Sequence, residues 1–138
     1  MTRIFTNGTF DVLHPGHVAL LRYAAALGDY LLVALDSDER IAARKGPSRP
    51  VNSLYVRTTL MSALRGVDEV RSFSSDAELE AIVEDYRPSV MVVGSDWRGK
   101  RIVGAQHAAR IEYFERTPHS TTSTLSAYLN RLRETSYE

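Results

Sequence analysis

No cysteine occurs anywhere in the 138-residue chain. Its absence excludes disulfides, thiolate metal sites and a cysteine nucleophile together. No apolar run approaches the ~20 residues of a membrane-spanning helix, and the opening MTRIFTNG lacks the apolar core of a signal peptide. The expectation is therefore a cytoplasmic protein without a membrane partner. Net charge is missing too, since seventeen basic residues balance seventeen acidic ones. That argues against an indiscriminate nucleic-acid binder. With 43% hydrophobic and 25% charged residues the composition is that of a globular protein. The length suits one domain, residues 1–138.

The charge balance is not local. No acid lies between Glu39 and Asp68, where Arg40, Arg44, Lys45, Arg49, Arg57 and Arg65 fall. A second acid-free window, between Asp96 and Glu112, holds Arg98, Lys100, Arg101 and Arg110. The only two lysines sit one in each window. Each residue alone reads as solvated surface, whereas two windows converging on one ligand would need that ligand to be small and anionic. Composition does not choose between these readings.

Short β runs alternate with helical patterns. Strands are expected at Arg3 to Thr6, Tyr30 to Leu35, Val67 to Phe73, Val90 to Val93 and Ile111 to Phe114. Between Pro15 and Leu27 apolar residues recur at helical spacing, with proline at the first turn and Gly28 just past the end. Ser37, Asn52 or Ser53, and Ser75 are placed to cap further helices. The one from Ser53 to about Leu64 should bury Leu60, Met61 and Leu64. Arg87-Pro88 should end the helix from Asp76, and Ser120 to Thr124 should open a last helix ending near Arg133. The pattern implies a single Rossmann-like α/β domain, a five-stranded parallel sheet with helices on both faces. Ligands of such sheets bind beyond the strand carboxyl ends, so the loops after strands one, two and four are the candidates.

The first of these loops runs Gly8-Thr9-Phe10-Asp11-Val12-Leu13-His14-Pro15-Gly16-His17. It is neither a Walker loop nor a GxGxxG fingerprint. Two histidines three apart at a helix start share a face, and the free N–H groups and dipole there suit an anion. Gly16 leaves the backbone open to a phosphate. Two imidazoles could then stabilise charge developing during phosphoryl chemistry. Either histidine alone reads as a cap or surface residue, and a zinc site would want a third ligand.

The segment GTFDVLHPGH resembles the HxGH signature of the nucleotidylyltransferase superfamily. More narrowly it resembles the cytidylyltransferase-like branch, which includes glycerol-3-phosphate cytidylyltransferase and the heptose-1-phosphate adenylyltransferase domain. LGDYLLVALDSDE and VDEV (Val67 to Val70) extend the match across both. KGPSRPVN (Lys45 to Asn52) is similar to the heptose type. GSDWRGK (Gly94 to Lys100) and the RT…STT of Arg116 to Thr122 look more like the glycerol-phosphate type. Here Pro118-His119 makes that last connection one residue shorter than in the glycerol-phosphate enzyme.

The resemblance implies that His14 and His17 hold the triphosphate and stabilise the transition state. Thr9 and Phe10 would contact the nucleotide, Asp11 would order the loop, and Lys45 would reach phosphates or acceptor from a mobile loop. Arg49 and Arg57 would meet the acceptor phosphate. Gly94 and Asp96 would border ribose and base, while Arg116, Ser120, Thr121 and Thr122 would grip phosphates. Read as residues, Ser120 to Thr122 equally make a helix cap, Asp96 a turn, and Trp97 either a base stack or packing. His107 and His119 read as surface or core histidines. The implied partners are a nucleoside triphosphate, with CTP slightly favoured over ATP, a phosphorylated polyol or sugar, and a second copy of the chain as a homodimer. Mg²⁺ would be held largely by the triphosphate, with no metal-binding residue identified. A non-catalytic nucleotide-binding module and, more remotely, a metal-binding regulator are the rival classes.

Overall fold

The computed structural model describes residues 1–116 and 120–135. Thr117, Pro118, His119 and residues 136–138 lie outside the described residues, and the expectation for His119 with them.

Five strands form one sheet: β1 (Arg3–Gly8), β2 (Tyr30–Asp36), β3 (Glu69–Phe73), β4 (Val90–Gly94) and β5 (Arg110–Phe114). All neighbours run parallel, in the order β3-β2-β1-β4-β5. β2 is buried from Leu31 to Asp36 because helices cover both faces. On one face Ile4, Leu21, Ala24, Leu31, Val33, Leu35 and Met61 form a core beneath α1 (Pro15–Ala26) and α3 (Leu54–Ser62). On the other, Phe5, Leu32, Ala34, Leu79, Val83 and Met91 pack beneath α4 (Asp76–Tyr86). Two further helices, α2 (Asp38–Lys45) and α5 (Thr121–Thr135), follow β2 and β5.

The helix caps are those expected. Ser37, Ser53 and Ser75 each accept an N–H of the first helical turn, the usual remedy for orphan donors. α4 ends at Arg87 in the left-handed region, one residue before Pro88. Gly28 follows α1 where a Cβ would stand 2.6 Å from the Thr2 carbonyl oxygen, so helix and β1 approach only over glycine.

Several boundaries differ from expectation, β1 for one running on to Gly8. β3 starts at Glu69, after Asp68, whose N–H donates to the Leu31 carbonyl at 3.0 Å while its carboxylate accepts the Leu31 N–H at 2.8 Å. α3 stops at Ser62, and Leu60 is 43% exposed. Its inward stripe is occupied instead by Arg57 and Met61, both essentially fully buried. Lys45 ends α2 and is not part of the loop after it. A cation there complements the helix dipole.

Strand order reverses beside β1. The β1–β2 ladder runs from Arg3↔Tyr30 to Gly8↔Leu35, whereas β1 pairs with β4 only at Ile4↔Val90 and Phe5↔Met91. Beyond Phe5 the Thr6 hydroxyl donates to the Val92 carbonyl at 2.9 Å, a side chain serving where the ladder has ended. The carboxyl ends of β1 and β4 thus flank a crevice at the switch point.

Candidate active site

The loop leaving β1 is strained and tightly held. Phe10 and Val12 adopt left-handed backbone angles, with φ of 47° and 52°. Such geometry costs on the order of 1–3 kcal/mol for each non-glycine residue, most for the β-branched valine. The Asp11 carboxylate between them is 2% exposed and accepts the N–H groups of Val51 and Asn52 at 2.7 and 2.8 Å. Charge-assisted bonds of this kind contribute roughly 1.5–3 kcal/mol each, enough to offset the strain. From α5 the Thr121 hydroxyl donates to the Asp11 carbonyl at 2.7 Å.

His14 and His17 open α1 as a reciprocal cap. His14 Nδ1 accepts the Gly16 N–H at 3.0 Å, and His17 Nδ1 accepts the His14 N–H at 3.3 Å. With both Nδ1 atoms acting as acceptors, the proton of each neutral ring resides on Nε2. The rings stack with centroids 3.8 Å apart and planes 22° from parallel. Phe10 packs on His17 at 5.2 Å. Burial, the adjacent His14 and the positive charges of Arg116 and Lys45 lower the His17 pKa to about 4, against an opposing pull from Asp11. His17 is therefore a neutral donor at pH 7, and the two charges that act on it place Arg116 and Lys45 around the same ring.

Lys45 is exposed, yet partial desolvation and the neighbouring Arg49 lower its pKa while Asp11 and Asp36 act against them. Arg116 follows β5 and bonds Asp96 through Nε at 3.0 Å. That pair passes over Gly94, where a Cβ would stand 2.6 Å from the Asp96 carboxylate and 3.0 Å from Arg116 Nε. Trp97 lies in a short 3-10 turn, 37% exposed. Ser120 is a cap first, exchanging hydrogen bonds with Ser123, a residue that sequence reasoning passed over. Thr122 is exposed on the first turn of α5.

Arg57 requires a correction. Expected at the acceptor phosphate, it is 1% exposed and bonded inward to the carbonyls of Asn52, Thr9 and Asp36 and to the Asp38 carboxylate. Its donors serve protein groups. His107 contacts Glu80 on α4, away from the paired histidines. The switch point thus gathers His14, His17, Asp11, Lys45, Arg49, Asp96, Arg116 and Thr121, and leaves Arg57 behind them in the core.

Neutral N–H donors at a helix N-terminus, ringed by two or three cations, can hold a polyphosphate and stabilise charge that builds on it. Among the described residues no hydrogen bond pairs a serine, threonine or tyrosine hydroxyl with a histidine base. Among the described residues no group of three or more His, Asp or Glu is placed to hold a metal ion. A divalent ion delivered with a nucleotide would be held largely by the phosphates.

A parallel α/β domain with an HxGH helix start at its switch point defines the nucleotidylyltransferase class of fold and site. The chain belongs to the cytidylyltransferase-like family, whose model matches residues 5–125. It is 50% identical over 101 residues to the bifunctional protein HldE of Gluconacetobacter diazotrophicus, covering 73% of this chain and 21% of that one. Against the bifunctional protein HldE of Helicobacter hepaticus it is 38% identical over 128 residues, 93% of this chain and 26% of the relative. The chain spans about a quarter of the length of these relatives. Among solved structures, a lipopolysaccharide core biosynthesis protein from Thermoplasma volcanium superposes with a TM-score of 0.63 at 25% identity, covering 83% of this chain and 99% of that one. A protein of unknown function from Archaeoglobus fulgidus shares the fold, with a TM-score of 0.62 at 21% identity over 88% of this chain and 94% of that one.

Proposed function

We propose that the domain transfers a nucleoside monophosphate from ATP to the phosphate of a sugar phosphate and releases pyrophosphate. An acceptor phosphate oxygen attacks the α-phosphorus in line, and the bond to the bridging α–β oxygen breaks. Pyrophosphate leaves with the electron pair. A phosphate monoester is already nucleophilic near neutral pH, so the site needs no strong general base. Positioning and charge neutralisation then carry catalysis.

The observation that carries this reading is the stacked His14–His17 pair, both rings with the proton on Nε2, at the N-terminus of α1. These donors would meet the triphosphate oxygens, with Arg116 on the same chain of phosphates and Lys45 and Arg49 toward the acceptor. Asp96 and Gly94 would border the ribose. ATP and a heptose-1-phosphate-type acceptor are favoured over CTP by the similarity to HldE proteins, which carry a heptose-1-phosphate adenylyltransferase domain. A second reading, CTP with glycerol-3-phosphate, is favoured only by the short segment Gly94 to Lys100 and the motif from Arg116 to Thr122.

The deciding measurement is pyrophosphate release with ATP and CTP, each crossed with sugar-1-phosphates and glycerol-3-phosphate, Mg²⁺ being supplied with the nucleotide. Release should be greatest with ATP and a sugar-1-phosphate. A preference for CTP and glycerol-3-phosphate would establish the second reading, and no release with any pair would reject nucleotidyl transfer in favour of a binding module.

A further inference from the structure

Arg57 is the only charged residue between Val51 and Leu64, and it is the largest of the fully buried side chains. α3 is accordingly turned inside out. Its one cation points into the protein, while Tyr55, at 80% exposure, and Leu60 face solvent. Removing a guanidinium from water costs several kcal/mol unless every contact compensates. An apolar residue would cover this face of the sheet at no such cost. The four bonds that Arg57 makes show what the charge achieves there.

Its Nε donates to the Asn52 carbonyl at 3.0 Å. One terminal nitrogen donates to the carbonyls of Thr9 at 3.0 Å and Asp36 at 2.8 Å, and the other to the Asp38 carboxylate at 2.7 Å. These groups come from three places: the loop after β1, the end of β2 with the start of α2, and the residue that leads into α3. The Asp11 carboxylate binds Val51 and Asn52 from the opposite side. The bonds close a ring. It runs from Thr9 through Phe10 to Asp11, across to Asn52, and back through Arg57 to Thr9. The strained residue Phe10 lies inside that ring, and its side chain packs on His17. Lysine, with a point charge and no planar fork, cannot span three carbonyls and a carboxylate at once.

We infer that Arg57 is a positioning residue for nucleotidyl transfer. It holds the left-handed turn Thr9 to Val12, and through Phe10 the His17 ring, in register with the segment that carries Lys45 and Arg49. It touches neither substrate. The inference rests on the transfer reading above for its effect on turnover, but its effect on His17 is independent of any reaction.

The test pairs turnover with nuclear magnetic resonance of the histidine ring nitrogens in Arg57→Lys and Arg57→Ala. Turnover should fall about 10- to 100-fold, the size of loss that a misplacement of about 1 Å brings. KM for the nucleotide should stay within about threefold. In the ligand-free variants His17 should lose its fixed Nε2–H form and titrate closer to an ordinary imidazole. Added ethylguanidinium should restore part of the turnover of Arg57→Ala, and ethylammonium should not. Wild-type turnover in Arg57→Lys, a loss confined to KM, or an unmoved His17 titration would each overturn the proposal. If neither Arg57 variant folds, Asp11→Asn probes the same ring from its other corner, and an unmoved His17 there would overturn it equally. A wild-type protein inactive with every substrate pair would reject the transfer reading and leave the His17 titration to decide the ring.

Discussion

Acidification should destabilise this protein through His17. In the unfolded chain its imidazole titrates at the ordinary 6.5, whereas in the folded chain burial and the neighbouring charges bring it to about 4. Between those values the unfolded state binds a proton that the native state refuses. Stability is therefore fully present above the unfolded pKa, declines as pH falls below it, and is at its lowest once pH passes about 4. At ~1.4 kcal/mol per tenfold change in proton affinity, the full difference corresponds to roughly 3 kcal/mol. The ring is only partly enclosed, and screening by solvent reduces this to about 2 kcal/mol. The assay is urea unfolding of the wild type and His17→Gln at about pH 7 and about pH 4.5. Glutamine keeps an amide donor and does not titrate, so the gap between the two proteins should change by about 2 kcal/mol across that interval. Polyphosphate should move the midpoint the other way, since an anion beside the ring favours imidazolium. Parallel stability curves for the two proteins, or a His17 midpoint near 6.5 without ligand, would refute the reasoning.

Two substitutions examine the rest of the site. Lys45→Ala should reduce acceptor-dependent turnover by about tenfold or more while changing nucleotide affinity little, and should raise the His17 pKa by removing one of the charges that lower it. Equal losses in turnover and nucleotide affinity would count against Lys45 as the contact to the acceptor. Gly94→Ala places a methyl 2.6 Å from the Asp96 carboxylate and 3.0 Å from Arg116 Nε. Both neighbours are ends of flexible side chains, so the melting temperature should hardly move, while nucleotide KM should rise about tenfold as one charge-assisted contact is displaced. A large loss of stability with unchanged KM would show that the Asp96–Arg116 pair supports the fold instead.

The alternation of strands with capped helices was legible because each signal is local. A serine before an acidic or apolar run, a proline at a helix start and a continuous apolar β2 mean the same thing in any context. The histidine pair was legible for that reason too, since its spacing places both rings on one helix end. Arg57 was not. Resemblance put it at a substrate phosphate, and no local rule says whether an arginine on an amphipathic helix points outward. The one available signal was its isolation in an otherwise uncharged stretch from Val51 to Leu64. The strain at Phe10 and Val12 was equally hidden, because Val51, Asn52 and Thr121, all distant in sequence, hold the intervening Asp11 in place.

The two acid-free windows show how charge in sequence and charge in space diverge. Arg40 and Arg44 both meet Asp36, Arg57 meets Asp38, and Arg110 meets Glu112. With Arg101 meeting Asp76, acids from outside the windows pair with five of their ten basic residues. Among the described residues Lys45 and Arg49 have no carboxylate within salt-bridge distance, and Arg116 is shared with Asp96. The field at the switch point is therefore set by few cations, and most of its capacity for phosphate must come from N–H groups that carry no formal charge. That explains why His17 is held neutral. A protonated pair of rings 3.8 Å apart would repel itself before any substrate arrived. A neutral His17 instead keeps its Nε2 donor in a fixed orientation and gains positive character only as negative charge builds beside it. Under the transfer reading proposed above, such a site would stabilise the transition state more than the ground state, which is the condition for raising kcat and not merely affinity.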